Sequence, residues 1–498
     1  MAGIPDNPSM NLRMPNFLRP WLEQPISCSC GASHVPGVRR VVLAPGSITL
    51  MAEIFEEAGD AGPLLLVADP DTWDAAGARV ARMLNSAGLR VFEAITARRP
   101  HADDAELERL RPALTRNPKR IVAVGSGTIG DLGKALAAEA GIPLMTVGTA
   151  ASMNGYASSI VALTIGGLKI TRPARCPDIL LFDTDVLAAA PPHMTAAGFG
   201  DLASKPVSGA DWVLSHRLLG EALCPAALSM TDAAASRARA AAADIGAGKP
   251  RAIGTLVEAL VLSGVSMTIA GASSPASGGE HLLSHYLDIS AVGSGAWRRE
   301  PRLHGEQVAV GTLVSLALYR RIRETGVAAA REAVSKAGPV GEAVSKSGSG
   351  GEPVSKAGLG GEPVSKASAG GEAEETDEEL ARLHAHLPEA ARAALLREAV
   401  RKRSRTPARS ERLERLERDW DALWTDLDAQ LAGTEGLASD LRAAGAPTRF
   451  SEIGVSRDLA VALILRARHM RDRFTVLDLA ADLGLLKRWA VEIADELG

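Results

Sequence analysis

The chain has 498 residues, of which 46% are hydrophobic, so it is long enough for two or three domains and can bury a substantial core. Its net charge of −4 and its isoelectric point near 6.3 give no global reason to expect nucleic acid or an anionic membrane as a partner. The four cysteines stand at uneven positions and do not form a disulfide framework: Cys28, Cys30, Cys176 and Cys224.

The N-terminal extension, residues 1–37, carries no apolar run typical of a signal peptide, so we expect a cytoplasmic protein. It does contain a small group of potential metal ligands, Cys28, Cys30 and His34. Three ligands so close in sequence make a cramped set, and the pattern favours a structural loop over a metal site.

Residues 38–190 alternate short apolar runs with alanine-rich segments, which predicts an α/β domain with a parallel sheet covered by helices on both faces. The predicted strands are Val41–Leu43, Leu64–Ala68, Val91–Ala94, Ile121–Val124, Leu144–Val147 and Ile179–Phe182.

A glycine-rich motif, Gly125–Gly130, follows the fourth of these strands and precedes a helix predicted over Asp131–Ala140. Small residues between a strand and a helix let the backbone approach a pyrophosphate at the helix N-terminus, so the motif predicts dinucleotide binding. A glycine turn without a ligand is the alternative. The acidic ribose partner usual about 20 residues later is missing, but Asp69 ends the second predicted strand. Its carboxylate could accept both ribose hydroxyls and would disfavour a 2′-phosphate.

The loop Thr146–Ser158 is rich in glycine and small hydroxyl residues and follows another predicted strand. Such a loop supplies N–H and hydroxyl donors to phosphates or to a nicotinamide ribose. An ordinary polar loop is the alternative interpretation.

One carboxylate and two imidazoles, those of Asp201, His281 and His304, form a three-ligand set for a divalent cation with a coordination position left open. His285 lies four residues after His281, so on a helix both rings would share one face. Paired histidines that merely decorate a helix are the alternative.

From about residue 191 to the end the apolar spacing is helical, which predicts a second, all-α domain that supplies the cation ligands. The nucleotide would then come from the first domain, placing the active site in the cleft between them. Thr255–Ala272 is the most apolar stretch, and Glu258 and Gly264 within it favour a buried helix over a membrane span.

Two segments of this half stand apart in composition. Residues 332–371 are a tandem decapeptide with few large apolar residues, which predicts a flexible low-complexity insert. The basic run from Arg401 to Arg415 is interleaved with glutamates, which favours a solvated helix face and not a nucleic-acid site. Arg471 and Arg473 could reach a substrate phosphate, and pairing with Asp472 or Asp478 is the alternative.

Five motifs along the chain resemble, in their order, the sn-glycerol-1-phosphate dehydrogenases, which belong to the iron-type alcohol dehydrogenase and dehydroquinate synthase superfamily. They are GSGTIGD at 125–131, TAASMNGYAS at 149–158, GFGD at 198–201, GGEHLLSH at 278–285 and LHGEQ at 303–307. The resemblance extends to the Cys28–Gly31 turn with His34, as in the bacterial members, and to residues 446–455 and 471–479.

The resemblance implies a dehydroquinate synthase-like fold and a metal-dependent oxidoreductase that interconverts dihydroxyacetone phosphate and sn-glycerol 1-phosphate. It implies zinc or nickel at Asp201, His281 and His304, and substrate contacts at Asn154, Asp201 and His285, with Asp201 and His285 as the catalytic pair. It also implies a homo-oligomer, a dimer. The NAD(H) contacts, with NADP(H) as an alternative cofactor, fall at Asp69, Gly125, Ser126, Gly127, Thr128, Ile129, Thr149, Ser152 and Ser158.

Asn154 departs from the family pattern, because similar enzymes usually carry aspartate there. An amide can bond to a glycerol hydroxyl but cannot act as a base. The departure leaves a second hypothesis open, in which the same scaffold acts on another small phosphorylated or phosphonate alcohol or carbonyl. A dehydroquinate synthase-type lyase or cyclase is a third, disfavoured because Asp201 stands where those enzymes usually carry glutamate. A non-catalytic nucleotide-binding protein would leave the ligand set unexplained.

Overall fold

The computed structural model describes residues 14–59, 62–165, 168–291, 297, 302–337 and 375–498. Ten strands form three sheets in this part of the chain. The strands are β1 (Ile26–Ser27), β2 (Ser33–His34), β3 (Arg40–Ala44), β4 (Leu64–Ala68), β5 (Val91–Ile95), β6 (Arg120–Gly125), β7 (Leu144–Gly148), β8 (Ile160–Ile165), β9 (Leu168–Pro173) and β10 (Ile179–Asp183).

The central sheet has six strands in the order β3-β10-β7-β6-β4-β5, and all its neighbouring strands are parallel. All six predicted strands are therefore confirmed. Alternate residues of β4 serve opposite faces: Leu64 and Leu66 pack into one apolar cluster, and Leu65 and Val67 into another. Because both faces are covered, the inner strands are largely continuous apolar runs, whereas the edge strand β5 carries the exposed Glu93.

Two antiparallel hairpins, β1-β2 and β8-β9, were not predicted. The first pairs Ile26 with His34 and is too short to give an alternating pattern. The second begins with an apolar run, Ile160–Leu163, that was not assigned to a strand, and its residues alternate between half-buried and buried.

No strand follows β10 among the described residues, and helices continue to the C-terminus, as predicted. The helices are α1 (Arg19–Leu22), α2 (Met51–Ala58), α3 (Pro70–Thr72), α4 (Ala78–Ser86), α5 (Asp104–Leu110), α6 (Gly127–Ala140), α7 (Thr184–Ala189), α8 (Pro192–Ala203), α9 (Lys205–Leu219), α10 (Pro225–Arg239), α11 (Ala242–Gly246), α12 (Pro250–Ala270), α13 (Gly279–Ala291), α14 (His304–Thr325), α15 (Val327–Ala337), α16 (Asp377–Leu383), α17 (Glu389–Arg405), α18 (Arg409–Arg418), α19 (Trp420–Leu431), α20 (Leu437–Ala443), α21 (Arg457–Arg466), α22 (Val476–Asp482) and α23 (Leu486–Glu496).

Helix α12 packs the helical part of the chain against the sheet. Leu256 and Leu260 of this helix share an apolar cluster with Leu180 and Phe182 of β10. Within the described residues, α12 alone has the length and composition to cross a membrane, and 83% of its apolar window is buried inside the molecule. The prediction of a buried helix here is confirmed.

The basic run around residue 401 was predicted to be a solvated face, and for two of its members this is wrong. Lys402 is buried and its ammonium bonds to Asp478 Oδ1 at 2.6 Å. Arg412 is buried and makes two bonds of 2.7 Å to the Asp482 carboxylate. Both side chains fix α17 and α18 against α22, because a buried cation needs a partner.

The decapeptide insert predicted at 332–371 lies outside the described residues from 338 onward. Its first six residues, 332–337, form the C-terminal part of helix α15, in which Ala333 is buried. The proposed domain boundaries near residues 37 and 190 remain predictions.

Candidate active site

Three helices bring the predicted cation ligands together. Asp201 lies on α8, His281 on α13, and His304 is the first residue of α14. Their ligand atoms all lie within 4.8 Å of one another, and His281 Nε2 is 3.6 Å from Asp201 Oδ1. Asp201 is fully buried and His281 nearly so.

Hydrogen bonds at the Nδ1 atoms of His281 and His304 fix the orientation of both imidazoles. Glu280 accepts from His281 Nδ1 at 2.8 Å, which leaves Nε2 to face Asp201. Ser284 donates to Gln307 Oε1 at 3.0 Å, so its oxygen accepts from His304 Nδ1 at 2.9 Å. In both rings the second nitrogen is thus available to a cation, an arrangement typical of metal-binding histidines. The donor set therefore fits a divalent cation.

The Asp201 carboxylate is held by groups from two sides. Its Oδ1 accepts from the buried Lys205 ammonium at 2.8 Å, and its Oδ2 accepts from the Asn154 backbone N–H at 2.9 Å. Burial alone would raise the pKa of Asp201, but Lys205 and the imidazoles of His281 and His304 hold it well below its usual range. The carboxylate is therefore charged and ready to ligate a cation.

His285 shares a helix face with His281, as the i, i+4 spacing predicted. Its ring centroid lies 6.1 Å from that of His281 and 5.5 Å from that of His304. It does not join the three-ligand group, so it lies beside the cation position.

A second buried carboxylate, Asp211, supports the start of α13. It accepts from the Gly279 N–H at 2.7 Å and from the Tyr319 hydroxyl at 2.6 Å. Burial and the nearby Glu280 carboxylate raise the pKa of Asp211 to about 7. This support fixes the first turn of α13, which carries Glu280 and His281.

The glycine-rich motif lies at the carboxyl end of β6, and helix α6 begins at Gly127, so the prediction of a start at Asp131 is wrong by one turn. Ser126 is the N-cap residue, so the helix begins directly after it and includes the glycines that the sequence analysis assigned to a turn. A Cβ at Gly125 would lie only 2.6 Å from Ile129 Cβ, so this position requires glycine. Ser126 Oγ is 3.0 Å from Ser152 Oγ, which joins this motif to the loop after β7.

The remaining predicted cofactor contacts are spread along the same sheet edge. Asp69 follows β4, which pairs with β6, and its Oδ1 accepts from the Thr72 N–H at 2.8 Å as the cap of α3. Thr149 follows β7 and bonds to the Gly125 carbonyl through its N–H. Ser158 is buried, and its Oγ accepts from the Lys134 ammonium at 3.0 Å. Ser158 therefore lies behind the loop and holds its shape.

Asn154 is buried between the loop and α12, where its amide donates to Ser263 Oγ at 3.2 Å. Its backbone N–H reaches Asp201, so the residue links the loop after β7 to the cation ligands. The side chain and the main chain of Asn154 thus serve different neighbours.

Neither Arg471 nor Arg473 forms an ion pair with Asp472 or Asp478, so the alternative prediction for these arginines is wrong. Asp472 pairs with Arg405, and Asp478 pairs with Lys402. Arg471 instead donates to Thr171 Oγ1 at 3.0 Å. Arg473 donates to the Ser277 carbonyl and to Ser273 Oγ, in the turn that precedes α13. Burial lowers the pKa of the Arg473 guanidinium, and among the described residues no carboxylate forms an ion pair with it.

Comparison with known proteins finds dehydrogenases that are similar to this chain. Residues 42–191 match the family model for iron-containing alcohol dehydrogenases. A glycerol-1-phosphate dehydrogenase [NAD(P)+] of Halalkalibacterium halodurans is 36% identical over 298 residues, covering 59% of this chain and 74% of that protein. The corresponding Pyrococcus furiosus protein is 34% identical over 292 residues, covering 58% and 81%.

The chain belongs to the glycerol-1-phosphate dehydrogenase family. Solved structures agree on the fold. A glycerol dehydrogenase from Schizosaccharomyces pombe superposes with a TM-score of 0.55 at 15% identity, covering 92% of this chain and 91% of that one. A probable glycerol dehydrogenase from Sinorhizobium meliloti gives 0.56 at 15% identity, covering 92% and 97%.

Several residues that support the site were not predicted from the sequence, and two of them, Lys205 and Glu280, contact a cation ligand directly. Lys205 was passed over because a lone lysine usually lies on the surface, although its i, i+4 spacing from Asp201 was a usable signal. Glu280 was passed over because it precedes His281 directly and reads as a solvent-facing neighbour on a helix. Its role depends on the turn before α13, which spacing alone does not reveal.

Proposed function

We propose that this protein is a metal-dependent NAD(P)H oxidoreductase that interconverts dihydroxyacetone phosphate and sn-glycerol 1-phosphate. The observation that carries the proposal is the buried Asp201 carboxylate. Its Oδ1 faces His281, its Oδ2 receives the Asn154 N–H, and the His304 ligand atom lies within 4.8 Å of it. The loop after β7 and the cation ligands therefore meet at one side chain, where a substrate oxygen would have to lie.

Asp201, His281 and His304 would hold the cation, and zinc or nickel suits two imidazoles with one carboxylate. When bound, such a cation acts as a Lewis acid toward a carbonyl or alcohol oxygen. The chain's own contribution is orientation. Glu280 and Ser284 hold the imidazoles, and Lys205 holds the carboxylate in its charged form.

The dinucleotide would bind along the carboxyl ends of β4, β6 and β7. The α6 N-terminus and Ser126 would face its pyrophosphate, and Asp69 would face its ribose. Hydride transfer is the chemistry that the nicotinamide supplies when bound. Ser152 would then place the loop after β7 between the cofactor and the cation ligands.

His285 would exchange the proton of the substrate alcohol, since its imidazole lies beside the cation position and can both accept and donate a proton. Asn154 would contact a substrate hydroxyl next to Asp201.

Arg473 would bind the substrate phosphate, with Arg471 as a second cation nearby. The guanidinium of Arg473 contacts the Ser277 carbonyl, and Lys205 contacts the carbonyl of the preceding residue, Ala276. Arg473, the proposed phosphate ligand, and Lys205, which bonds to Asp201, thus contact the carbonyls of two consecutive residues. Arginine suits phosphate because its planar fork offers two parallel donors.

A second candidate substrate is another small phosphorylated or phosphonate alcohol or carbonyl. Asn154 favours this alternative, because its amide donates to Ser263 and brings no negative charge to the substrate position. A dehydroquinate synthase-type reaction is less favoured, since the carboxylate ligand is an aspartate.

The test is a panel of carbonyl substrates followed through NADH absorbance. We expect dihydroxyacetone phosphate to be reduced far more efficiently than unphosphorylated dihydroxyacetone, with sn-glycerol 1-phosphate as the product. Arg473→Gln should raise KM for the phosphorylated ketone while leaving the slow reduction of dihydroxyacetone unchanged. Equal rates for both ketones, or an sn-glycerol 3-phosphate product, would contradict the proposal.

A further inference from the structure

The N-terminal hairpin and helix α10 bring four metal-type ligands together at a place that the proposed reaction does not use. Cys28, Cys30 and His34 come from the hairpin, and Cys224 is the residue that caps α10. Their ligand atoms lie within 4.8 Å of one another. The fourth ligand stands 190 residues after His34, so the crowded N-terminal trio is completed from a distant part of the chain.

We propose that these four side chains form a structural zinc site that fastens the N-terminal segment to the helical part of the protein. Three sulfurs and one imidazole nitrogen are a usual ligand set for structural zinc, and four protein ligands leave no open position.

The distances fit a tetrahedral ion. With Zn–S near 2.3 Å and Zn–N near 2.05 Å, a tetrahedron has edges of about 3.8 Å between sulfurs and about 3.6 Å between sulfur and nitrogen. The Cys28 and Cys224 sulfurs are 3.8 Å apart, and His34 Nε2 is 3.3 Å from each of the Cys30 and Cys224 sulfurs. One ring nitrogen offers one proton or one lone pair, so its approach to two sulfurs is best explained by a shared central atom.

The hairpin backbone is shaped to converge the ligands. Cys28 and Gly31 form a tight turn through the Gly31 N–H and the Cys28 carbonyl, and Gly31 has a φ of +88°. This conformation favours glycine and turns the chain so that His34 returns beside Ile26.

The surroundings supply a reason for such a fastening. Phe17 stacks under the Arg237 guanidinium at 4.4 Å, and Trp21 and Ile26 pack on the apolar cluster that contains Cys224. Strands β1 and β2 have only two residues each, so the hairpin has little internal stabilisation. A zinc ion would supply the missing cross-link between residues far apart in the sequence.

Metal content tests the proposal on the full chain expressed with zinc. Wild type should hold two equivalents of metal. His304→Ala, which removes a ligand of the other cation group, should keep one equivalent of zinc. Cys30→Ser should lose this second equivalent, and it is the safest variant because Cys30 is exposed. Cys176→Ser is the matched control, since that thiol bonds to the Ala157 carbonyl outside the cluster and its loss should change no metal content.

Cobalt exchanged into the protein gives a second readout. We expect thiolate-to-cobalt charge-transfer absorption in wild type and in His304→Ala, and its reduction in Cys30→Ser and Cys224→Ser. Chelation should lower the thermal midpoint of His304→Ala but not that of the double variant with Cys30→Ser. Unchanged zinc content in both cysteine variants, or a Cys28–Cys224 disulfide mapped by mass spectrometry in the native protein, would overturn the proposal.

Discussion

Asp69 has a structural and a proposed electrostatic role, and a single substitution separates them. Its carboxylate caps α3 through the Thr72 N–H, and asparagine can accept the same bond. We predict that the native protein uses NADH at least as well as NADPH. Asp69→Asn should keep the helix cap but remove the repulsion of a 2′-phosphate, improving kcat/KM for NADPH relative to NADH by about tenfold.

Steady-state kinetics with both cofactors measure this ratio. Asp103→Asn is the matched control, because Asp103 caps α5 through the Glu106 N–H in the same way but lies at another helix. A strong native preference for NADPH, or an unchanged ratio in Asp69→Asn, would show that Asp69 does not contact the ribose.

Asn154 is the residue at which this chain departs from the pattern that the family resemblance implies. Asn154→Asp would place a negative charge beside the Asp201 carboxylate, and the new side chain would accept from Ser263 where the amide now donates. A hydrogen bond to a charged group contributes about 1.5–3 kcal/mol. We therefore predict a change of roughly tenfold or more in KM or in selectivity among polyol phosphates.

Ser263→Ala serves as the control, since it removes the same partner without adding charge. If Asn154→Asp leaves every kinetic constant unchanged on all tested substrates, position 154 does not face the substrate.

Glu280 is expected to act on cation affinity through His281. Glu280→Gln keeps the shape but replaces a charged acceptor of the Nδ1 proton with a weaker one. Loss of such a partner typically weakens metal binding by about 10–100-fold. Competition with a chelator should measure this decrease. Glu258→Gln is the control: Glu258 lies on α12 and pairs with Arg237, so this variant should bind the cation as wild type does. Equal affinities in both variants would contradict this role.

At the scale of secondary structure, the sequence was most informative where burial is symmetric. The four inner strands of the central sheet are buried on both faces, and the bounds of all six strands were predicted to within one residue. Helix ends that depend on a local cap were less predictable. Helix α6 begins at Gly127, after its cap Ser126, four residues before the predicted start. The short hairpin β1-β2 gave no periodic signal at all.

Residues whose roles depend on distant parts of the chain were the hardest to find. Asp201, His281 and His304 were found because the motif order of a known family marks them. Cys224 was not, because nothing near it in sequence connects it to Cys28 or His34. The burial of Lys402 and Arg412 was missed for the same reason, since Asp478 and Asp482 come from a helix far along the chain.

A buried chain of hydrogen bonds connects helix α13 to the C-terminal helices. Tyr286 bonds to His384, His384 to His469, and His469 to Glu375, at 2.7, 3.0 and 2.9 Å. Burial, with added repulsion from neighbouring cations such as Arg468 next to His469, lowers the pKa of His384 to about 2 and that of His469 to about 4. Both rings are therefore neutral in the folded protein at neutral pH.

These lowered pKa values predict acid sensitivity. The contribution of these two neutral histidines to the free energy of unfolding is fully present above the unfolded histidine pKa of 6.5. It is lost as the pH falls from there toward the folded pKa of His469, about 4. We expect the free energy of unfolding, measured with denaturant, to decrease over that range. His469→Gln should make the decrease shallower, whereas His193→Gln at an exposed position should leave the slope unchanged. A stability independent of pH between 6.5 and 4 would contradict the account.

At the scale of the whole molecule, the sheet and the helical part contribute different groups to one site. The sheet places the glycine-rich turn and the loop after β7 at its carboxyl edge, and three helices place the cation ligands beyond that loop. The Asn154–Asp201 bond at 2.9 Å joins the two contributions. The central claim is that the reaction at this junction requires a divalent cation held by Asp201, His281 and His304.

The most direct test is reduction of dihydroxyacetone phosphate by NADH before and after removal of the metal. We predict that chelation abolishes turnover and that zinc or nickel restores it. His304→Ala should remain folded by circular dichroism, lack the active-site metal and stay inactive after metal is added. Full turnover in a rigorously metal-free preparation, or in His304→Ala, would contradict the claim.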